Sequence, residues 1–257
     1  MTTTMTAVSF ELNDLDVELG GRTILSGLSL TARDGEFLCV VGRSGCGKTS
    51  LLRTIGGLVQ PARGSVRVTP GRRADGTAAA NCAIVFQADS LFPWMSVERN
   101  AAFGLRARGV GREAAQAAAR DWLTRVGLPP EVQKLRPRQL SGGMRQRVNL
   151  VRALVLEPRV LLMDEPFASL DYQTREELQA ELLRVTALNK MTTVLVTHDV
   201  PEAVLLADRI VVMDAAVRGI AQVFDVPWGQ ERSLDLKATS AFADLCGLVS
   251  QAVRGQR

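Results

Sequence analysis

Short, continuously apolar runs alternate along this chain with longer stretches in which apolar residues recur every three or four positions. The short runs are Phe37 to Val41, Cys82 to Phe86, Val160 to Met163, Thr193 to Val196 and Ile210 to Met213. Their length and β-forming composition predict buried strands, apolar on both faces as in a parallel sheet covered by helices. The periodic stretches predict helices: one opened by Thr49-Ser50-Leu51-Leu52, an Ala-rich one from Asn100 to Val126, one through Val148, Val151 and Leu154, and an amphipathic one from Glu176 to Leu188. Gly56-Gly57 with Pro61 end the first, and Gly127 to Pro130 break the Ala-rich one, whose Trp122, Leu123 and Val126 share a face that reads as core. Ahead of these, Leu12 to Leu30 alternates about Gly20-Gly21, which predicts an antiparallel hairpin, and Ser65 to Val68 reads as a short strand. Ile210 to Met213 is expected to close the sheet, and Gly71 to Ala80 reads as a polar loop of no assigned role.

Chemistry concentrates where strands end. Val40 to Leu52 reads VVGRSGCGKTSLL, which is G-x-x-x-x-G-K-[ST] with a strand before it and a helix after it. Gly42, Gly45 and Gly47 let the backbone curl so that N–H groups converge on one anion, and the helix N-terminus adds partial positive charge there. In that pattern Lys48 reaches the β- and γ-phosphates of a nucleoside triphosphate, and the Thr49 hydroxyl coordinates Mg²⁺. The whole loop, Gly42 through Ser44, Gly45, Cys46, Gly47, Lys48 and Thr49 to Ser50, is expected to contact nucleotide. A second anion-binding helix start is predicted at Ser141-Gly142-Gly143, where Ser141 can cap the helix that follows. The strand Val160 to Met163 ends in Asp164-Glu165. Two carboxylates near a phosphate loop suit Asp164 to hold Mg²⁺ through water and Glu165 to orient and deprotonate an attacking water. The chain has one histidine, His198, at the end of the strand Thr193 to Val196; a γ-phosphate contact is expected there. After the strand ending at Gln87 comes SLFPWMSVERN. Its Leu91, Phe92, Pro93, Trp94 and Met95 read either as a docking surface for a partner helix or as packing beneath a neighbouring helix.

Composition adds limits. The chain has 257 residues with 46% hydrophobic content, ordinary for a globular α/β protein, and no run approaches the ~18 apolar residues that a membrane span needs. The N-terminus lacks the basic and apolar regions of a secretion signal. The four cysteines, Cys39, Cys46, Cys82 and Cys246, form no C-x-x-C pair, and a disulfide at Cys46 would obstruct the phosphate loop, so a reducing cytoplasm is expected. The net charge of +4 is scattered rather than striped, which suits an anionic ligand or membrane surface and does not argue for nucleic acid.

The stretch Leu140 to Arg147, LSGGMRQR, together with the phosphate loop, Asp164-Glu165 and His198, resembles the ATP-binding subunits of ABC transporters, along nearly the whole chain. The resemblance implies an α/β fold: a RecA-like P-loop NTPase core with an N-terminal antiparallel β-subdomain and an inserted α-helical subdomain. It implies one domain over 1–257, with 1–87 and 158–214 as core, 88–157 as the helical lobe and 215–257 as a tail. It implies a head-to-tail homodimer holding two ATP and Mg²⁺, in which Ser141, Gly142 and Gly143 of one chain meet the ATP of the other. Transferred by position, Gln87 senses Mg²⁺ and couples to the membrane subunit, Glu165 is the catalytic base, Asp171 belongs to the D-loop and His198 is the switch histidine. SLFPWMSVERN is similar to the nitrate, sulfonate and taurine importers, with Asn100 as a helix-start residue. Such a protein works at the cytoplasmic face of a bacterial membrane on permease subunits, supplied by an extracytoplasmic binding protein. The alternatives are an exporter or lipid-trafficking ATPase and, in other classes, a nucleic-acid maintenance ATPase or a non-hydrolysing adaptor. Intact Lys48, Asp164, Glu165 and His198 argue against the adaptor, and the lack of heptads or Cys/His metal spacing argues against nucleic-acid maintenance. Two departures stand out. The aromatic that stacks on adenine in the family aligns with Leu19, which implies weaker nucleobase selectivity, and the tail lacks the family's Pro-Gly-Arg turn.

Overall fold

The computed structural model describes residues 7–69, 82–87, 90–168, 170–229 and 232–255, so the expected loop from Gly71 to Ala80 and Ser169 of the turn before Asp171 lie outside the described residues. In chain order the elements run β1 (Val8–Leu19), β2 (Arg22–Arg33), β3 (Phe37–Gly42), α1 (Lys48–Ile55), β4 (Arg63–Val68), β5 (Cys82–Val85), α2 (Val97–Ala107), α3 (Arg112–Arg125) and α4 (Pro130–Gln133). They continue with α5 (Gly142–Leu154), β6 (Val160–Asp164), α6 (Tyr172–Leu188), β7 (Thr192–Thr197), α7 (Val200–Leu206), β8 (Arg209–Asp214), β9 (Gly219–Asp225) and α8 (Ser240–Arg254). The chain forms two compact units, one of Met1–Thr69, Leu162–Glu165 and Leu182–Arg257, the other of Pro70–Leu161 and Pro166–Glu181.

The first unit carries two sheets. β1 pairs antiparallel with β2 through a turn at Gly20 and Gly21, both at positive φ, and with β4 on its other edge. The second sheet has the order β6-β7-β3-β8-β9. Every residue of β3, β6 and β7 is buried, as expected of parallel strands covered on both faces. β8 does not close this sheet as the apolar pattern suggested. β9 adds to it antiparallel, with Ile210 opposite Phe224. Its mostly exposed positions explain why no apolar run marks it.

In the second unit the Ala-rich stretch is two helices rather than one. α2 ends before Gly109, which turns at φ 83, and α3 begins after Gly111. Both helices present small and apolar residues inward (Ala101, Ala102 and Leu105; Ala115, Ala119, Trp122 and Leu123), so one periodic pattern ran across the break. α6 begins at Tyr172, a turn earlier than its apolar periodicity, because the Asp171 carboxylate accepts the Thr174 N–H at 3.0 Å and starts the helix there.

Candidate functional site

β3 runs parallel between β7 and β8, with Val41 opposite Thr197 and Gly42 opposite Met213, so the loops leaving β3 and β7 start at one level. Each glycine after β3 answers a different demand. A Cβ on Gly42 would lie 2.4 Å from the Met213 carbonyl oxygen, and one on Gly47 would lie 2.6 Å from Leu25 Cδ2. Gly45 has open space around it but a left-handed φ of 82. The first-turn N–H groups of α1 have no intrahelical acceptor and suit an anion. Lys48 is buried, and its ammonium donates to the Gly42 and Arg43 carbonyls at 2.8 and 3.2 Å, which folds the cation across the loop. Ser44 and Gly45 are exposed, Thr49 and Ser50 half-buried. Cys46 is buried against Gly42, so only its backbone can face a ligand. Burial pushes its thiol pKa up against the opposing pull of Lys48.

β6 and β7 are neighbours, and their ends bring the acidic pair to His198. The buried Asp164 accepts the Thr49 hydroxyl at 3.1 Å. Burial raises its carboxyl pKa, the Glu165 charge adds to this, and the Thr49 bond, Arg53 and Lys48 oppose it. Glu165 takes a left-handed φ of 46, which for a glutamate costs about 1–3 kcal/mol and points to function rather than stability. Its N–H donates to the Val196 carbonyl at 2.9 Å, and Oε1 lies 3.2 Å from His198 Nδ1. His198 is 63% exposed and Glu165 21%, so the imidazole is open to a ligand while the carboxylate is sheltered. Asp199 caps α7 by accepting the Glu202 N–H at 3.1 Å, which fixes the backbone directly after His198. The hydroxyl of Thr49 and the carboxylate of Asp164 are hard oxygen donors fitting Mg²⁺. Among the described residues no group of three or more His, Cys, Asp or Glu could hold a metal ion.

The second unit holds the other predicted residues. Ser141 caps α5, accepting the Met144 N–H at 3.2 Å, and Gly142 lies open, with nothing near where a Cβ would be. Gly143 is tied to α6 by proximity: a Cβ there would meet Thr174 Cγ2 at 2.4 Å. Arg147 joins the same helices, pairing with Glu177 at 2.9 Å. Asp171 therefore lies just ahead of the helix whose Thr174 meets Gly143, its carboxyl held below the ordinary range by the Thr174 hydrogen bonds. Gln87 is exposed two residues after the end of β5.

The aromatic stretch divides between a packed and an exposed ring. Phe92 packs, with ring centroids 4.6 Å from Phe103 and 5.5 Å from Trp94 and the Arg152 guanidinium 5.1 Å from its centroid, whereas Trp94 is 67% exposed. Ser96, not Asn100, caps α2. Asn100 is fully buried and clamps the turn: its Oδ1 accepts the Phe92 N–H at 2.7 Å while its Nδ2 donates to the carbonyls of Phe92, Met95 and Ser96. An Asn after a Pro-containing turn signals this role only weakly. Leu19 is 43% exposed at the end of β1.

A parallel sheet with a phosphate loop on its central strand, and a carboxylate pair and histidine on the neighbouring strand ends, defines an ATP-hydrolysing cassette. The chain belongs to the ABC transporter family, whose model matches residues 25–168. It is 40% identical over 219 residues to a bicarbonate transport ATP-binding protein, CmpD, of Synechocystis sp., covering 84% of this chain and 77% of that one. It is 46% identical over 190 residues to a taurine import ATP-binding protein, TauB, of Sinorhizobium fredii, covering 74% and 70%. Among solved structures it is similar to the dimeric ATP-binding cassette MJ0796 in a post-hydrolysis state bound to ADP and phosphate, with a TM-score of 0.73, 26% identity, and coverage of 85% of this chain and 99% of that one.

Proposed function

We propose that this chain is the ATP-hydrolysing subunit of an importer of small oxyanion-bearing solutes (sulfonates including taurine, nitrate or bicarbonate), working as a homodimer with Mg²⁺ beneath membrane permease subunits fed by an extracytoplasmic binding protein. The reading rests above all on the 3.2 Å pair of Glu165 and His198 on strand ends beside the phosphate loop. The relatives named for bicarbonate and taurine support the solute class. Among the described residues no helix is long and apolar enough to cross a membrane; in this reading the permease subunits provide the path for solute and the chain works at the cytoplasmic face.

In this reading the loop from Gly42 to Ser50 wraps the phosphates, and Lys48 leaves its carbonyl partners for the β- and γ-oxygens. Thr49 and Asp164 would hold Mg²⁺, which would supply charge neutralisation of the phosphates, and Gln87 would sense it as the family resemblance implies. Glu165 accepts a proton from the attacking water as its oxygen joins the γ-phosphorus and the bond to ADP breaks. His198 orients that carboxylate and contacts the γ-phosphate. Ser141, Gly142, Gly143 and Asp171 serve the ATP of the partner subunit. The helical lobe, 88–157, carries Trp94 and receives the permease. Replacing Glu165 by Gln keeps the shape and removes the base. That variant should bind ATP, dimerise, and turn over at least a hundredfold more slowly. Trapped with ATP in native membranes, it should bring down a permease and a solute-binding protein. Wild-type turnover refutes the base; recovery of soluble or nucleic-acid partners alone refutes transport.

A further inference from the structure

The segment after β9 bonds to the C-terminal end of α7, the helix that follows His198. The last carbonyls of a helix lack intrahelical donors. Here the Val204 carbonyl accepts Trp228 Nε1–H at 3.0 Å, and the Leu206 carbonyl accepts the Arg232 guanidinium. The Arg232 side chain is 5% exposed and pairs also with Asp208. The other oxygen of Asp208 accepts the Phe37 N–H at 2.7 Å, and its own N–H donates to the Phe37 carbonyl, at the start of the strand that leads into the phosphate loop. Trp228 is held in turn by Phe242 of α8, with centroids 6.5 Å apart and planes 27° from parallel. Burial raises the pKa of the Cys39 thiol of β3, with Glu202 and Asp208 adding to the rise and Arg232 opposing it. The buried Arg232 guanidinium thus bridges the end of α7 and Asp208, which is bonded to the start of β3.

We propose that Arg232, with Trp228, is a positioning residue for hydrolysis: it fixes α7 against β3 and thereby sets His198 against Glu165. α7 has seven residues, a rod of about 10 Å, so a shift at its C-terminal end reaches the backbone at Asp199 and His198 with little loss. Arg232 touches none of the proposed reacting groups. Its effect travels through the helix, as expected where second-layer contacts hold a reacting pair to within a few tenths of an ångström.

The inference rests on the assignment of His198, so wild-type and His198→Ala ATP turnover are measured first; no loss in His198→Ala refutes that assignment rather than this one. In full-length protein, Arg232→Met should lower kcat at least tenfold, with KM for ATP and the Kd of a fluorescent ATP analogue within twofold. Arg232→Lys should recover part of the loss, keeping charge but not the fork. Trp228→Phe keeps the stack on Phe242 and loses only the N–H, and should lower kcat threefold or more; it serves if Arg232→Met does not fold. In single-turnover assays in the His198→Ala background, neither substitution should cost more than twofold further. Unchanged kcat in folded variants, KM rising together with falling kcat, or an undiminished effect without His198 overturns the proposal.

Discussion

Replacing Asn100 by Ala tests whether the aromatic turn is built or merely present. Asn100 makes four hydrogen bonds from a fully buried position, but they are not equivalent. The Ser96 carbonyl also accepts the Asn100 N–H at 2.8 Å, and the Phe92 carbonyl also accepts the Met95 N–H at 3.1 Å, so both keep a partner after truncation. The Phe92 N–H and the Met95 carbonyl lose the partner described here. An orphaned buried polar group costs about 1–3 kcal/mol, so two give roughly 2–6 kcal/mol, confined to the turn because Ser96 still caps α2. At 1.36 kcal/mol per factor of ten, the lower bound predicts exchange of the Phe92 amide roughly 30-fold faster. Hydrogen exchange resolved to that amide is the assay, with α1 amides as internal control. Asn100→Asp keeps the acceptor for Phe92 and sets a carboxylate against the carbonyls, so it should protect Phe92 better than Ala while still lowering stability. Less than threefold acceleration in Asn100→Ala would refute the clamp.

Three further outcomes are expected. Gly143→Ala puts a methyl 2.4 Å from Thr174 Cγ2 and should cost about 1–3 kcal/mol by chemical denaturation together with much of the ATPase activity; adding Thr174→Ser, which deletes that methyl, should restore both. The Glu36 carboxyl pKa is raised chiefly by burial, although the Arg33 N–H bond and Arg209 at 3.0 Å pull it down. Between the ordinary glutamate range and that raised value the folded chain holds a proton the unfolded chain has released, so stability falls as pH rises through the window; denaturation midpoints from pH 4 to 7 should lose this slope in Glu36→Gln. Leu19→Tyr should tighten ATP binding by on the order of 1 kcal/mol, about fivefold, and widen the preference for ATP over GTP, read by competition binding; no change in either refutes an adenine contact at this position.

What the sequence discloses is what local chemistry dictates. The glycines of the phosphate loop were legible because each serves a backbone demand visible in one short motif, and β3, β6 and β7 because strands buried on both faces leave apolar runs. β9 was not, since an edge strand with mostly exposed positions leaves no run. The α2–α3 break was hidden because both helices use alanine against the same core, so a turn at Gly109 reads as one more small residue in a helical pattern.

The residues that pattern reading missed share a physical character. Asn100, expected only to start a helix, and Arg232, which no motif marks, are polar groups whose partners are backbone groups and a carboxylate supplied by the fold. The left-handed backbone of Glu165 belongs with them: nothing in Asp164-Glu165-Pro166 announces it, yet it directs the carboxylate to the end of β7, where His198 stands. Candidate chemistry is therefore readable from residue types at strand ends, whereas its alignment is not. Alignment depends on a strained backbone at Glu165, a cap at Asp199 and a buried cation at Arg232 that holds the far end of the same helix. If alignment limits the rate, substitutions at Arg232 and Trp228 change kcat while ATP binding stands. A site limited by phosphate binding alone would register them only through folding.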